Sequence, residues 1–239
     1  MLRGPSDFFV FGAGSDLAQR LFVAERAWWK EHIRRLILVQ RGAQVASAYE
    51  GFDCQVETAD VSDPALFARR LTEIVSRHAS TERRLEVFPT YGSFHYSIVK
   101  RPHFTPSADG FQVNLNARLQ IIEAFRPFAA NTTFHLLGSL LSNFPYLGDY
   151  AMSMWYVNQL PSHPSYEDLD LRVYNLGGVK TKFWDHSKES GSNPFLHKEI
   201  PTRALREAMA SQRKGVTNFY PTTLAQLLSF FARRGVRLL

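Results

Sequence analysis

Between an apolar run at 8–11 and a helical run that follows stands Gly12-Ala13-Gly14-Ser15-Asp16-Leu17-Ala18. A glycine turn between a strand and a helix lets main-chain N–H groups and the positive helix end approach a pyrophosphate. The second and third glycines of the usual pattern are Asp16 and Ala18 here, so position carries this reading more than pattern does. After the next apolar run, Gln40-Arg41 replaces the acidic residue that would accept hydrogen bonds from an adenosine ribose. A guanidinium there favours a 2′-phosphate by its charge and its fork of donors, which points to NADP(H) ahead of NAD(H).

Such residues work only if the chain around them folds into a frame, and its rhythm is strand, helix, strand. The strands are FFVF (8–11), RLILVQ (35–40), DCQVET (53–58), LEVFPT (85–90), TFHLLG (133–138) and DLRVYNLGG (170–178). Helices are expected from about Asp16 to Glu31, Pro64 to Arg77 and Phe111 to Phe128. Short β-branched and apolar runs alternating with helical periodicity mean parallel strands joined by crossover helices. The expected fold is α/β, a doubly wound parallel sheet, Rossmann-like, in a single domain spanning 1–239.

Local signals support the placement. Ser62-Asp63-Pro64 offers an N-cap and a first-turn proline, after which Leu66, Phe67, Leu71, Ile74 and Val75 recur on one face. Trp28-Trp29, near the end of the first helix, is read as packing rather than ligand stacking. The helical run after Tyr150 must stop at Leu160-Pro161. The polar, aromatic and turn-rich stretch at about 181–205 reads as a lid or a surface loop, and a closing helix is expected at about 222–234.

With these positions in place, the chain resembles the short-chain dehydrogenase/reductase family from about Phe8 to Thr181. Asp60-Val61 looks like the family's adenine-contacting pair. Val87-Phe88-Pro89-Thr90-Tyr91-Gly92 stands where the family has Asn-Asn-Ala-Gly, with only Gly92 matching strictly. Val113-Asn114 resembles the motif whose Asn supports a proton relay, and Gly177-Gly178-Val179-Lys180-Thr181 the segment that holds the nicotinamide carboxamide. The resemblance makes Ser139 the serine that hydrogen-bonds the substrate carbonyl and Tyr150 the proton donor. It also implies a substrate pocket walled by Phe94, Phe144, Tyr146 and Trp184, with Ser93, Tyr96 and Phe183 nearby.

The catalytic motif departs from that family at one position. Four residues after Tyr150, where the family has a lysine, stands Met154, and no Lys, Arg or His occurs from 151 to 160. In the family that ammonium binds the nicotinamide ribose and lowers the tyrosine pKa from about 10. A thioether does neither. A protonated phenol still donates to an oxygen being reduced, so reduction is favoured over alcohol oxidation. Lys180 and Arg118, the latter one helical turn after Asn114, are the candidate substitutes for the missing charge.

Composition narrows the remaining classes. The 239 residues suffice for one full core, and 28 Lys plus Arg against 22 Asp plus Glu leave a net charge of +6. Basic residues are dispersed in pairs such as Arg34-Arg35, Arg83-Arg84 and Arg233-Arg234, so no nucleic-acid surface is expected. A lone Cys54 excludes an internal disulfide and a thiolate metal site, and no metal is expected. No stretch is long and apolar enough for a membrane span or a signal segment, which gives a cytoplasmic expectation. His135, inside an apolar strand, reads as a hydrogen-bonded core histidine.

The expectation is therefore an atypical NADP(H)-dependent reductase acting on a carbonyl of a sizeable hydrophobic or aromatic substrate. The alternatives are a non-redox enzyme on the same fold (dehydratase, cyclase or isomerase) and a non-catalytic nucleotide- or partner-binding subunit. Pro161 and Pro164 interrupt the segment that would build the usual dimer interface, leaving a homodimer or hetero-oligomer with an altered interface open.

Overall fold

Each central strand is a short apolar run whose side chains are buried on both faces, as parallel strands covered by helices must be. The computed structural model describes residues 4–92, 108–145, 148–177, 199–211 and 213–220. Seven parallel strands form one sheet in the order β3-β2-β1-β4-β5-β6-β7. They are β1 (Ser6–Phe11), β2 (Ile33–Gln40), β3 (Cys54–Thr58), β4 (Leu85–Pro89), β5 (Thr132–Ser139), β6 (Asp170–Leu176) and β7 (Gly215–Asn218). The strand order reverses between β1 and β4, each of which pairs in parallel with the other.

The period of two along the strands sorts side chains onto two cores. Phe9, Phe11, Ile37, Val39, Val87, Phe134 and Leu136 face α3 (Pro64–His78), α5 (Ala117–Phe125) and α6 (Asp149–Gln159). Phe8, Val10, Leu36, Leu38, Phe88 and Tyr174 face α1 (Asp16–Ala24), α2 (Arg26–His32) and α7 (Thr202–Ala210). The sheet is thus doubly wound and Rossmann-like, as the sequence pattern implies. Asp63 caps α3, accepting from Leu66 N at 2.9 Å with Pro64 in the first turn.

Several elements differ from the sequence expectation. The helix expected over 16–31 is broken at Glu25 (φ −115°, ψ 27°) into α1 and α2. Arg26 is fastened to the carbonyls of Ser47, Ala48 and Glu50, and Trp29 Nε1 donates back to Leu21 O at 3.2 Å, so tertiary contacts set the break. Trp29 is buried against the sheet and Trp28 stacks on His32. The helix expected over 111–128 is composite: α4 (Ala108–Phe111), a π-helical turn Gln112–Asn116, α5, and a 3₁₀ segment Arg126–Asn131. The stretch expected as lid at 181–205 ends inside a helix, since α7 begins at Thr202. Strand β7, paired to β6 from Gly215 to Asn218, has no counterpart in the sequence expectation. As expected, α6 stops at Gln159, before 3₁₀ turns that contain Pro161 and Pro164. The closing helix expected at 222–234 lies outside the described residues.

Candidate active site

In an open parallel sheet the carboxyl ends of the strands leave a crevice where the strand order reverses, and ligands of this architecture bind there. The turn after β1 enters that crevice. Gly12 takes φ +82°, and a Cβ added to it would lie 2.9 Å from Tyr91 N, so both backbone and space demand glycine. A Cβ on Gly14 would meet only Gln40 Oε1, at 3.8 Å, leaving open ground beside the turn. Ser15 caps α1 by accepting from Ala18 N at 3.2 Å, and Gln19 N donates to Ser15 O. The earlier N–H groups of that turn have no intrahelical partner and point out of the helix end. Asp16, whose carboxylate would repel a phosphate, is paired with Arg20 at 3.1 Å, and Leu17 packs toward the core.

Thr90 ties this turn to the end of β4. Its hydroxyl accepts from Ser15 Oγ at 3.0 Å and donates to Gly12 O at 2.8 Å. Sequence reasoning gave Thr90 no role, although its place two residues before Gly92 could have signalled one. Gly92 lies at the open edge, exposed.

The strand ends on the other side of β1 carry the pair expected for the adenosine half. Arg41 is exposed in the turn after β2, and Asp60 follows β3. Asp60 accepts from Ser62 N at 3.0 Å and Ser62 Oγ at 2.7 Å. Those bonds, and then the charge of Arg41, hold its carboxyl below the usual range. Val61 packs against the core, and its carbonyl accepts from Gln112 Nε2 at 3.4 Å.

The expected catalytic residues meet beyond β4. Ser139 is the last residue of β5 and caps the turn Leu140–Asn143, its Oγ accepting from Leu141 N at 3.2 Å. Tyr150 sits in the first turn of α6, with the Ser139 hydroxyl in hydrogen-bonding reach of its phenol. Burial raises the Tyr150 pKa, opposed by the charge of Arg118 and then by the Ser139 bond. Asn114 is fully buried in the π-helical turn, a distortion frequent at functional sites. Phe144 is buried just after the turn that Ser139 caps. Met154 is 1% exposed and packs in the core with Val157 and Leu160.

Arg118 is also buried, on α5. Its Nη2 donates to Tyr91 O at 2.9 Å, its Nη1 donates to Asn114 O, and the guanidinium lies 5.2 Å from the centre of the Tyr91 ring. Tyr91, unassigned at the sequence level, has its phenol raised by burial. Five expected site residues, Phe94, Tyr146, Gly178, Thr181 and Trp184, lie outside the described residues, as do Ser93, Tyr96, Lys180 and Phe183. His135 is elsewhere, buried on the opposite core with Nδ1 2.8 Å from Tyr174 Oη and Nε2 2.5 Å from Glu86. Among the described residues there is no cluster of three metal-ligating side chains, and no helix is long and apolar enough to cross a membrane.

No protein-family model and no curated protein sequence matches the chain. Solved structures do. A protein of Escherichia coli CFT073 described as a short-chain dehydrogenase, complexed with NADPH, is similar with a TM-score of 0.71 and 19% identity, over 92% of this chain and 98% of that one. A short-chain dehydrogenase of Burkholderia cenocepacia J2315 in complex with NADP has a TM-score of 0.69 and 13% identity, over 99% and 96%. Another, from Sphingobium yanoikuyae in complex with NADPH, has a TM-score of 0.65 and 19% identity, over 97% and 94%. The chain shares the fold of these short-chain dehydrogenase structures.

Proposed function

We propose that this chain, built on the fold of short-chain dehydrogenases, is an NADP(H)-dependent reductase of a carbonyl on a sizeable hydrophobic or aromatic substrate. The observation that carries the reading is the meeting of Ser139 and Tyr150 at the carboxyl edge of the sheet, beside the glycine turn. NADP(H) in the similar structures supports the cofactor, and the open ground at Gly14, the outward N–H groups of α1 and Arg41 fit its phosphates. Asp60 and Val61 would border its adenine, and Gly92, Gly178 and Thr181 its nicotinamide half. When bound, the cofactor supplies hydride.

The residues of the chain do the rest. The Ser139 hydroxyl donates to the substrate carbonyl and fixes its orientation. Tyr150, a phenol neutral near pH 7 and kept so by its burial, gives its proton to that oxygen as negative charge develops there. Asn114, buried in the π-helical turn that packs against α6, supports the relay that returns a proton to Tyr150. The aromatic side chains of Phe94, Phe144, Tyr146 and Trp184 would wall an apolar pocket. No metal takes part in this scheme, and the protein works free in the cytoplasm.

Titration of the purified protein with NADPH and with NADH, followed by protein fluorescence, tests the cofactor half. Binding that favours NADPH is expected, and binding of neither refutes the reading. A panel of aryl ketones with NADPH tests the chemistry, with turnover expected in the native protein and lost in Tyr150→Phe.

A further inference from the structure

A buried ion in this chain ordinarily has a partner of opposite charge: Asp7 has Arg34 and Arg35, Arg172 has Asp170. Arg118 does not. It is 2% exposed, forms no ion pair among the described residues, and has a buried Nε with no hydrogen-bond partner there. Its two hydrogen bonds go to neutral carbonyls, those of Asn114 and Tyr91. Burying an uncompensated cation is costly, so a fold that keeps one has either an anion to place beside it or a charge that appears in use. The Tyr91 ring lies 5.2 Å from this guanidinium, and Tyr150 stands on α6, the helix packed against the π-helical turn to which Arg118 is tethered; the charge of Arg118 acts on both phenols.

Resting on the acid role of Tyr150 proposed above, we propose that Arg118 is the positioning cation of that acid: held from α5 on the Asn114 and Tyr91 carbonyls, it supplies the charge that Met154 cannot supply from α6. Proton transfer to the substrate oxygen breaks the Tyr150 O–H bond, forms the O–H bond of the alcohol and leaves the electron pair on the phenolate. A proton from solvent later restores the phenol. Burial lowers the Arg118 pKa and the two phenols oppose that shift, yet an arginine keeps its proton in a protein, so the guanidinium stays charged throughout. A neutral phenol loses little by facing Arg118, whereas a phenolate gains an ion-pair attraction in a poorly screened site, so the effect falls on the charge-developing state.

Among the described residues no other cation on the elements packed against α6 competes for this task. Helix α6 packs against β5, the Leu140–Asn143 turn, α4, the π-helical turn and the Leu160–Ser162 turn. The ionisable groups these elements contribute are His135, occupied by Glu86 and Tyr174, and exposed Asp109, while α6 itself adds Asp149 beside Tyr150 and the exposed Tyr156. None of these is a free cation. Tyr91 remains as a second phenol, its ring under the charge and its backbone carbonyl the tether.

The test reads the phenol directly and needs no cofactor. Tyrosinate ultraviolet absorbance is titrated in the ligand-free protein, and the Tyr150→Phe curve is subtracted to isolate Tyr150. In Arg118→Met the Tyr150 midpoint should rise by about one pH unit or more, a tenfold loss of acidity, and Arg118→Lys should restore most of it. Arg118→Gln removes the charge while keeping an amide donor for the two carbonyls, and it carries the same test should the methionine variant not fold. A midpoint that stays in place in a folded, uncharged variant overturns the proposal. Because NADPH is absent, a chain that binds no NADPH but shows the shift would refute the reductase reading and leave the Arg118–Tyr150 coupling standing.

Discussion

The two ends of this sheet treat buried charge in opposite ways. At the strand starts each charge is closed off by its opposite: buried Asp7 in β1 by Arg34 at 2.5 Å and Arg35 at 3.2 Å, buried Glu86 in β4 by Arg84 with the His135 ring bonded to it, and buried Arg172 in β6 by partly exposed Asp170 at 2.6 Å. At the strand ends Glu57, on the outer strand β3, is closed in the same way by Arg70 and Arg77, but beside the central strands the buried ion is a cation, Arg118, bonded to carbonyls and lying against the Tyr91 ring. A closed pair has nothing left to offer a ligand and its removal is felt by the fold, whereas an open ion is held ready for charge that is not yet there. Beside the central strands, closed and open charge therefore separate the framework from the site proposed to do the chemistry.

Breaking each end in turn should give opposite losses. Tyr150→Phe should cost roughly 10²- to 10⁴-fold in turnover, the range of a lost acid–base group, with the thermal midpoint unmoved. Asp7→Asn should do the reverse, costing on the order of 3 kcal/mol of unfolding free energy with kcat unchanged, because a fully buried carboxylate leaves three arginines unsatisfied. Denaturant unfolding and ketone turnover, measured on both variants, check the pair. Equal losses of both quantities in either variant would erase the distinction between the ends.

Gly12 lies where framework and site meet, and its substitution should injure both. Alanine there suffers a left-handed φ, worth about 1–2 kcal/mol, and presses on Tyr91 N. Since Tyr91 carries the carbonyl that holds Arg118, Gly12→Ala should lower the melting temperature, weaken NADPH binding and slow turnover together.

How much of this could be read from residues alone follows from which forces set each part. The strands, the two-sided burial and the Asp63-Pro64 cap were legible because period and capping are local. The break at Glu25 was not, since Arg26 and Trp29 make their bonds to residues that only the fold brings near. Strand β7, GVTN, is a short edge strand that alternates half-buried with exposed residues, and α7 buries only Leu205 and Met209. Such segments carry little signal of their own. At the site, Ser139, Tyr150 and Asn114 could be named from order along the chain, and Arg118 from its spacing to Asn114. What the sequence left out is that Tyr91, just beyond the end of β4, supplies the second tether. The loss of the lysine at Met154 is plain in the sequence, and its neighbour in space is not.

Arg41 sharpens the comparison at the open end, because its charge is exposed rather than buried. Removing an exposed guanidinium leaves no uncompensated group in the fold, so Arg41→Ala should leave unfolding unchanged. Its effect should be confined to cofactor choice, lowering the preference for NADPH over NADH by about tenfold, the worth of one hydrogen bond to a charged partner. Titration of both nucleotides into the variant measures this. A preference that survives would place the 2′-phosphate contact on another residue.

The smallest effect is expected at the closed end and appears only in acid. Burial by itself would raise the Asp170 carboxyl, but the hydrogen bonds and charge of Arg172, joined by the Thr133 hydroxyl, hold it below its usual range. A carboxyl depressed in the folded state contributes stability that is fully present above the unfolded pKa, about 3.9, and is lost as pH falls through the folded one. Asp170 keeps part of its surface in water, which screens the pair and makes the contribution modest. Urea unfolding between about pH 5 and pH 3 should therefore steepen less with acid in Asp170→Asn than in the native protein. Over the same variant the Tyr150 titration should not move, because Asp170 and Tyr150 lie at opposite ends of the strands. An altered Tyr150 midpoint would mean that charge at the closed end reaches the open one.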